Sequence, residues 1–452
     1  LPMSKDIKIK KGLDIKLVGE AEKSIAEAPK SRTYVIKPSD FHLVTPKMLY
    51  KEGASLKAGE PLFYAKKDES IKFVSPVSGT LTEIKRGAKR VITHLVIEAD
   101  GKDTTVEFPT LDVNAANAEA IKARMLESGL WPFIKQRPYD IIANTETTPD
   151  AIFISGHNSA PLAPDYNFSL KGKEAYIQAA ITALSKLTSG KIYLGVGKAS
   201  DSVFANISEV EMHTVSGPHP CGNVGTQINK IAPINKGETV WTVAPENLAI
   251  IGELFLTGKF NPERVISVSG SGIKAPKYYK TKIGAEVSTF AYSAGIEGDN
   301  VRMISGNVLT GDQVNADGHL GYYHNEFAAI PEGDDYELFG WNKPVFNKIS
   351  SSRALTFSWL FPNKKYDLDT NTNGEHRAFV VTGNYEEVFP LDIYPLQLLK
   401  ACMVQDLDAM EALGMYEVAP EDFALTEFIC VSKQPHQAII RKGLDLMYAE
   451  IG

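Results

Sequence analysis

Cysteine is scarce in this sequence, with only Cys221, Cys402 and Cys430 among 452 residues. Three scattered thiols cannot build a disulfide framework, and an odd number leaves one unpaired, so a reducing compartment is the simpler reading. Long hydrophobic runs are missing too. Leu95-Val96-Ile97 and the stretch from Leu248 to Ile251 have the length of core strands, far short of the roughly 18 apolar residues that a membrane-spanning helix needs. No charged-then-apolar leader opens the chain, and Leu1-Pro2 ahead of Met3 reads as a cloning remnant. The expectation is a soluble, cytoplasmic protein that meets a membrane only through partners. A basic surplus is lacking as well: 48 Lys and Arg face 55 Asp and Glu, for a net charge of −7. That balance argues against nucleic acid as a partner, because gripping phosphate backbones calls for excess cations.

What is present is an ordinary globular balance, 43% hydrophobic and 23% charged, which excludes disordered and fibrous classes. The length is that of about three domains. Residues 32–108 read as short strands at Val35-Ile36, Leu62-Phe63-Tyr64, 71–74, 80–84 and 91–97. Turns such as Lys57-Ala58-Gly59-Glu60 and Ser75-Pro76-Val77-Ser78-Gly79 separate them, a rhythm that predicts a small β-sandwich or barrel. Residues 115–128 then switch to helical spacing. From about 140 the pattern alternates: strand 151–154, helix 174–187 with Gly190 as its stop, strand 191–194, and helix 246–257. Two strands joined by a helix over about 40 residues match a βαβ unit, hence a parallel sheet. Residues 263–330 return to strands around a short helix at 286–293. The stretch after Pro331 is irregular and polar, and the chain is helical from Tyr394 onward.

Few patterns carry chemistry. Gly195-Val196-Gly197-Lys198-Ala199-Ser200 follows a strand as a phosphate loop would, but it lacks the third glycine of a dinucleotide fingerprint and the earlier glycine of a P-loop, leaving a strand-ending turn. His219, between Pro218 and Pro220, is rigidly held, yet no second ligand stands at metal spacing. At i and i+2 on a stiff turn it points away from Cys221. His319 and His324 lie in a glycine-containing loop. Lys85-Arg86-Gly87-Ala88-Lys89-Arg90 is a basic hairpin tip, a solvated face or a contact for an acidic partner or anionic headgroups. No metal site and no unaided catalytic site emerges.

Several stretches, however, match one family. Ile7-Lys8-Ile9-Lys10-Lys11-Gly12-Leu13-Asp14, Ser75 to Gly79, residues 83–91, Glu127-Ser128-Gly129-Leu130-Trp131, Gly217-Pro218-His219-Pro220, Glu253 to Gly258, Glu337-Leu338-Phe339-Gly340-Trp341 and Gly383-Asn384-Tyr385-Glu386 run in order along the whole chain. Together they resemble the A subunit of the Na+-translocating NADH:quinone oxidoreductase (Na+-NQR) family. The resemblance implies a peripheral cytoplasmic member of a six-subunit bacterial inner-membrane complex. That complex passes electrons from NADH to ubiquinone while pumping Na+, and the peripheral member docks on the membrane subunit that carries covalent FMN.

The resemblance also implies a multidomain α+β and α/β architecture. Residues 3–112 form a barrel-sandwich hybrid, 113–260 a Rossmann-like α/β domain, 261–331 an SLBB-like β-grasp and 332–452 a C-terminal region of ferredoxin-like helices. In the barrel, Glu69 stands where a lipoyl- or biotinyl-type domain carries its modified lysine, so no swinging-arm carrier is expected. In the α/β domain, the glycine-dense flavin loop of related NADH-oxidising subunits is replaced by residues 128–138. Trp131 and Phe133 fill that space, so FMN and NADH binding are expected to be lost, with no bound cofactor apart from a place for ubiquinone. Cys402 and Cys430 are too few for an iron–sulfur cluster. Trp131, Phe133, Arg137 and His219 are expected to flank one quinone or ligand pocket, or the aromatics merely plug an obsolete one. The competing readings are a scaffold subunit with no ligand of its own and a flavin-dependent NADH dehydrogenase.

Overall fold

Alternating apolar residues in the first hundred positions build two small facing sheets. One has strands Thr33–Ile36, Ile92–Ala99, Gly79–Arg86 and Ser55–Leu56, and the other Pro46–Met48, Pro61–Ala65 and Asp68–Val74. Phe63 and Phe73 stack between them with ring centroids 4.4 Å apart. This computed structural model describes residues 6–198, 202–352, 355–380 and 383–452. The segment ahead of Thr33, expected to belong to the barrel, runs outside it. Asp6–Lys8 adds a parallel edge strand beside Glu211–Ser216, and Glu22–Glu27 pairs in parallel with Lys277–Lys282. The physical reason is burial. Ile9 inserts beside Val215 and Cys221, a core that the barrel cannot offer.

The expected parallel sheet is present. In spatial order its strands are Asp6–Lys8, Glu211–Ser216, Lys191–Val196, Ala151–Ser155 and Val240–Thr242, all parallel, followed by the antiparallel Lys135–Arg137 and Ile141–Ile142. Helices Glu174–Ser185 and Pro245–Thr257 pack together on one face. Gly252 makes that approach possible, because a Cβ there would collide with the Tyr176 carbonyl. Gly190 is not the helix stop. The helix ends at Ser185 with Lys186 as its cap, and Gly190 is needed instead because a Cβ would strike the Asp150 carbonyl. A mixed six-stranded sheet covers Glu263–Ser269 to Glu326–Pro331 around helix Val287–Ala294.

The C-terminal helices Pro395–Val404, Leu407–Ala412 and His436–Ile451 share a core with Tyr139 and Ile141 of the α/β module, whereas Leu425 of helix Ala424–Phe428 packs with Ile15, Leu17 and Val388. Cys402 and Cys430 lie in separate cores. Cys402 Sγ sits 3.7 Å from Met415 Sδ, and Cys430 Sγ sits 3.0 Å from the Tyr385 hydroxyl. Among the described residues no helix is long and apolar enough to cross a membrane.

Candidate functional site

Where parallel strands end, side chains and helix N-termini leave a crevice, the usual ligand position in open α/β sheets. Here the crevice is a cavity of about 260 Å³ beside Ser155 and Thr242. Phe133, Lys135, Arg137, Asn247, Tyr323 and Glu421 are among its walls. Phe133 is held by stacking, with Phe260 at 6.4 Å and Tyr322 at 5.4 Å between centroids. Lys135 Nζ sits 4.4 Å from the Tyr323 ring centroid, and the Tyr323 hydroxyl donates to the Pro132 carbonyl at 2.6 Å.

Of the four residues expected around one pocket, Phe133 and Arg137 line this cavity, whereas Trp131 and His219 are not among its walls. Trp131 lies in the core, edge-on to Trp241 at 5.4 Å and 82°, with Nε1 donating to the Ala143 carbonyl at 2.8 Å. His219 is buried with Nδ1 2.9 Å from Ser159 Oγ, and its backbone N–H donates to Asp14 Oδ1 at 2.9 Å. Burial pushes its imidazole down to about 4. Cys221 Sγ donates to the Gly217 carbonyl at 3.2 Å.

Arg137 is 1% exposed. It donates from Nη1 to Asp422 at 3.0 Å and from Nη2 to Glu421 at 2.8 Å, residues 285 and 284 positions along the chain. Burial alone would disfavour its charge, but Asp422 and Glu421 outweigh burial and hold it protonated. Asp422 is fully buried and accepts from the Ala419 N–H at 2.8 Å; burial raises its carboxyl while Arg137 draws it back. A Cβ on Gly225 would meet both Asp422 Oδ1 and Arg137 Nη1. The first turn of helix Val224–Ile231 therefore already faces the chain's own carboxylate, and a helix N-terminus stabilises a negative charge there. An anionic ligand would find that position taken.

Behind the cavity lies a second ionisable group of residues that the sequence did not reveal. Arg264, 3% exposed, donates to Asn247 Oδ1 at 2.7 Å and to the His324 carbonyl at 3.2 Å. Glu326 is 6% exposed, and burial, reinforced by Glu246, pushes its carboxyl from 4.5 up to about 8. A carboxyl whose folded value is raised gives stability that is complete below its unfolded value and lost as pH rises through the folded one. Glu326→Gln is therefore expected to flatten the decline in stability between pH 4.5 and 8 by a few kcal/mol, read as thermal midpoints across that range. Parallel curves for the two proteins would refute it.

The remaining sequence features are placed as follows. Lys191–Val196 ends at the turn expected from its two glycines, with Gly195 against the Gln227 side chain; Ala199 and Ser200 lie outside the described residues. His319 Nε2 is 3.0 Å from Thr33 Oγ1 and His324 Nδ1 is 2.8 Å from Ser305 Oγ, so the two loop histidines serve different contacts. Glu69 is the second residue of strand Asp68–Val74; the hairpin turn itself is Lys66-Lys67, and Lys67 Nζ lies 5.1 Å from the Tyr448 ring centroid.

A barrel-sandwich hybrid, a parallel α/β module and an SLBB module fused in one chain, with an ion cluster closing the α/β crevice, define a multidomain class of protein. Family models match each module in order: the NqrA N-terminal barrel-sandwich hybrid domain over residues 7–100, the NqrA second alpha/beta domain over 116–260 and the NQRA C-terminal domain (SLBB) over 265–316. Full-length relatives agree. The A subunit of the Na(+)-translocating NADH-quinone reductase of Neisseria meningitidis serogroup B is 36% identical over 448 residues, covering 98% of this chain and 100% of the relative. That of Alcanivorax borkumensis is 36% identical over 450 residues with the same coverage. The chain belongs to the NqrA family, the A subunits of the Na+-translocating NADH-quinone reductases. Among solved structures, an air-oxidized NAD+-reducing [NiFe]-hydrogenase aligns over 67% of this chain and 69% of its own at 10% identity and a TM-score of 0.34, too distant to carry an argument.

Proposed function

We propose that this chain is a peripheral, redox-silent subunit of a sodium-pumping NADH:ubiquinone oxidoreductase, on the cytoplasmic side of the membrane, and that it docks on the membrane-embedded subunits. The observation that carries the reading is a set of large apolar side chains left exposed beside an open groove. A groove of about 910 Å³ has an apolar floor at Ile15, Leu17, Ile304 and Ile330 and a polar rim that includes Arg302, Lys348, Asp369 and Lys433. The irregular segment that borders it leaves Leu338 77%, Phe339 62%, Trp359 49% and Phe361 46% exposed. Exposed large apolar side chains gathered on one segment mark an interaction site, and large aromatics dominate the energy of such contacts. Translocation of Na+ needs subunits that span the membrane, and no described helix here does. The occupant proposed is an extended apolar segment of one of those subunits, the FMN-bearing one foremost. Leu338→Glu with Phe339→Glu is expected to lower co-purification with the remaining subunits at least tenfold. The chain's own thermal midpoint should stay the same, because both side chains are mostly exposed. Undiminished co-purification would reject the docking face.

A second reading, a place for ubiquinone, is favoured by the cavity of about 260 Å³. Its Phe133 and Tyr323 rings and its Lys135 ammonium suit a flat headgroup with two carbonyl acceptors. Calorimetric titration of the isolated chain with a short-chain ubiquinone is expected to show one saturable site, weakened several-fold by Lys135→Met. Flat heats would leave docking as the whole function.

A further inference from the structure

The basic hairpin found in the sequence plays no part in the cavity or the groove. Strands Gly79–Arg86 and Ile92–Ala99 extend past the barrel core, and every residue from Lys85 to Val91 is exposed. The tip is held by backbone bonds from Gly87 N–H to the Val91 carbonyl at 2.8 Å and from Val91 N–H to the Ala88 carbonyl at 3.2 Å. Arg86 Nη1 also donates to the Arg90 carbonyl at 3.1 Å, which fixes the turn without using an anion. Lys89 and Arg90 both take the left-handed conformation, with φ of 54° and 61°.

Charge at this tip is unbalanced. The nearby acids are Glu83, 3.7 Å from Lys85, and Glu52, whose carboxylate accepts from the Ile84 N–H at 2.7 Å. Among the described residues Arg86, Lys89 and Arg90 make no ion pair, although long surface cations elsewhere on the chain, such as Lys191 with Glu211 and Lys365 with Glu20, are paired. Beside these cations Val91 is 59% exposed. An exposed apolar side chain closing the turn of a cationic hairpin, on a chain whose net charge is −7, matches the requirements of one surface. Anionic headgroups attract the tip, the hydrocarbon boundary accepts the valine, and the acidic remainder of the chain is held away.

We propose that the Lys85–Val91 hairpin tip is a membrane-surface contact that binds anionic phospholipid headgroups. It gives a protein with no spanning helix among its described residues its own foothold on the bilayer. This contact presupposes the family's place beside an ion-translocating membrane complex, but neither the docking groove nor the quinone cavity.

The test is flotation of the full chain with phosphatidylcholine vesicles, with and without phosphatidylglycerol, over a range of salt. Binding is expected only to the anionic vesicles and to fall as salt rises, since exposed charges are screened within about 10 Å at 0.1 M. Each neutralised cation should weaken it about fivefold, so Arg86→Glu with Lys89→Glu and Arg90→Glu should abolish it. Val91→Ser should weaken it without removing the salt dependence. A control carrying Lys171→Glu, Lys400→Glu and Lys442→Glu changes the net charge equally at exposed sites on other modules and should bind as the parent does. Equal binding to neutral vesicles, binding that survives the hairpin substitutions, an equal loss in the control, or no vesicle binding at all would each overturn the proposal. The last outcome would assign the tip to an acidic protein partner.

Discussion

Arg137→Met is expected to destabilise the chain by about 3–5 kcal/mol, the cost of leaving buried charge without its partner. Asp422 has no exposed side-chain surface, and its carboxylate would keep only the Ala419 N–H. Burial already raises that carboxyl, and without the guanidinium the Ala419 N–H alone would draw it back. A raised carboxyl stabilises below its unfolded value and ceases to as pH rises through the folded one, so the deficit should shrink as pH falls toward 3.8. Pairing the change with Asp422→Asn removes the stranded charge and should recover at least half of the loss. Urea unfolding of the parent, the single variant and the double variant checks all three statements. A single variant as stable as the parent, or a double variant no better than the single, would show that the cluster does not join the modules. Because Arg137 lies on a strand of the α/β sheet and Asp422 in the C-terminal region, the loss should also expose the C-terminal helices to protease first.

Trp131→Ala is the other change with a large expected effect, again about 3–5 kcal/mol, from the lost apolar contact together with the void left behind. The indole packs on Trp241 and its Nε1 satisfies the buried Ala143 carbonyl, so the truncation opens a hole and orphans an acceptor. Denaturant midpoints measure the cost. Quinone titration of the folded fraction should be unchanged, since Trp131 does not line the cavity, whereas Lys135→Met should weaken binding and spare stability. The opposite pattern, a stable Trp131→Ala chain with altered quinone binding, would move the ligand position to the core side of Phe133.

Local sequence was a good guide wherever burial repeats with a short period. Strand 151–154, helix 174–187 and helix 246–257 emerged from apolar spacing and match Ala151–Ser155, Glu174–Ser185 and Pro245–Thr257 within a few residues. Lys277–Lys282 escaped notice, because a strand with three lysines in six residues shows no apolar alternation; only Tyr278 and Tyr279 turn inward. At the candidate site, Phe133 could be singled out because a bulky residue stood where glycines occur in related proteins, and Arg137 because it lies close by in the same stretch, but nothing nearby announced Glu421, Asp422 or Glu326.

The sequence by itself determined the family, the order of the modules, the parallel sheet and the basic hairpin. Each is written in contiguous residues whose spacing or identity is visible locally. Tertiary structure alone decided that Asp6–Lys8 and Glu22–Glu27 complete the sheets of two later modules, that Trp131 is core while Phe133 is wall, and that Arg137 meets Asp422 across 285 positions. Those outcomes depend on which buried surfaces and charges find one another once the chain has closed. No local period encodes a contact whose energy comes from excluding water between distant segments.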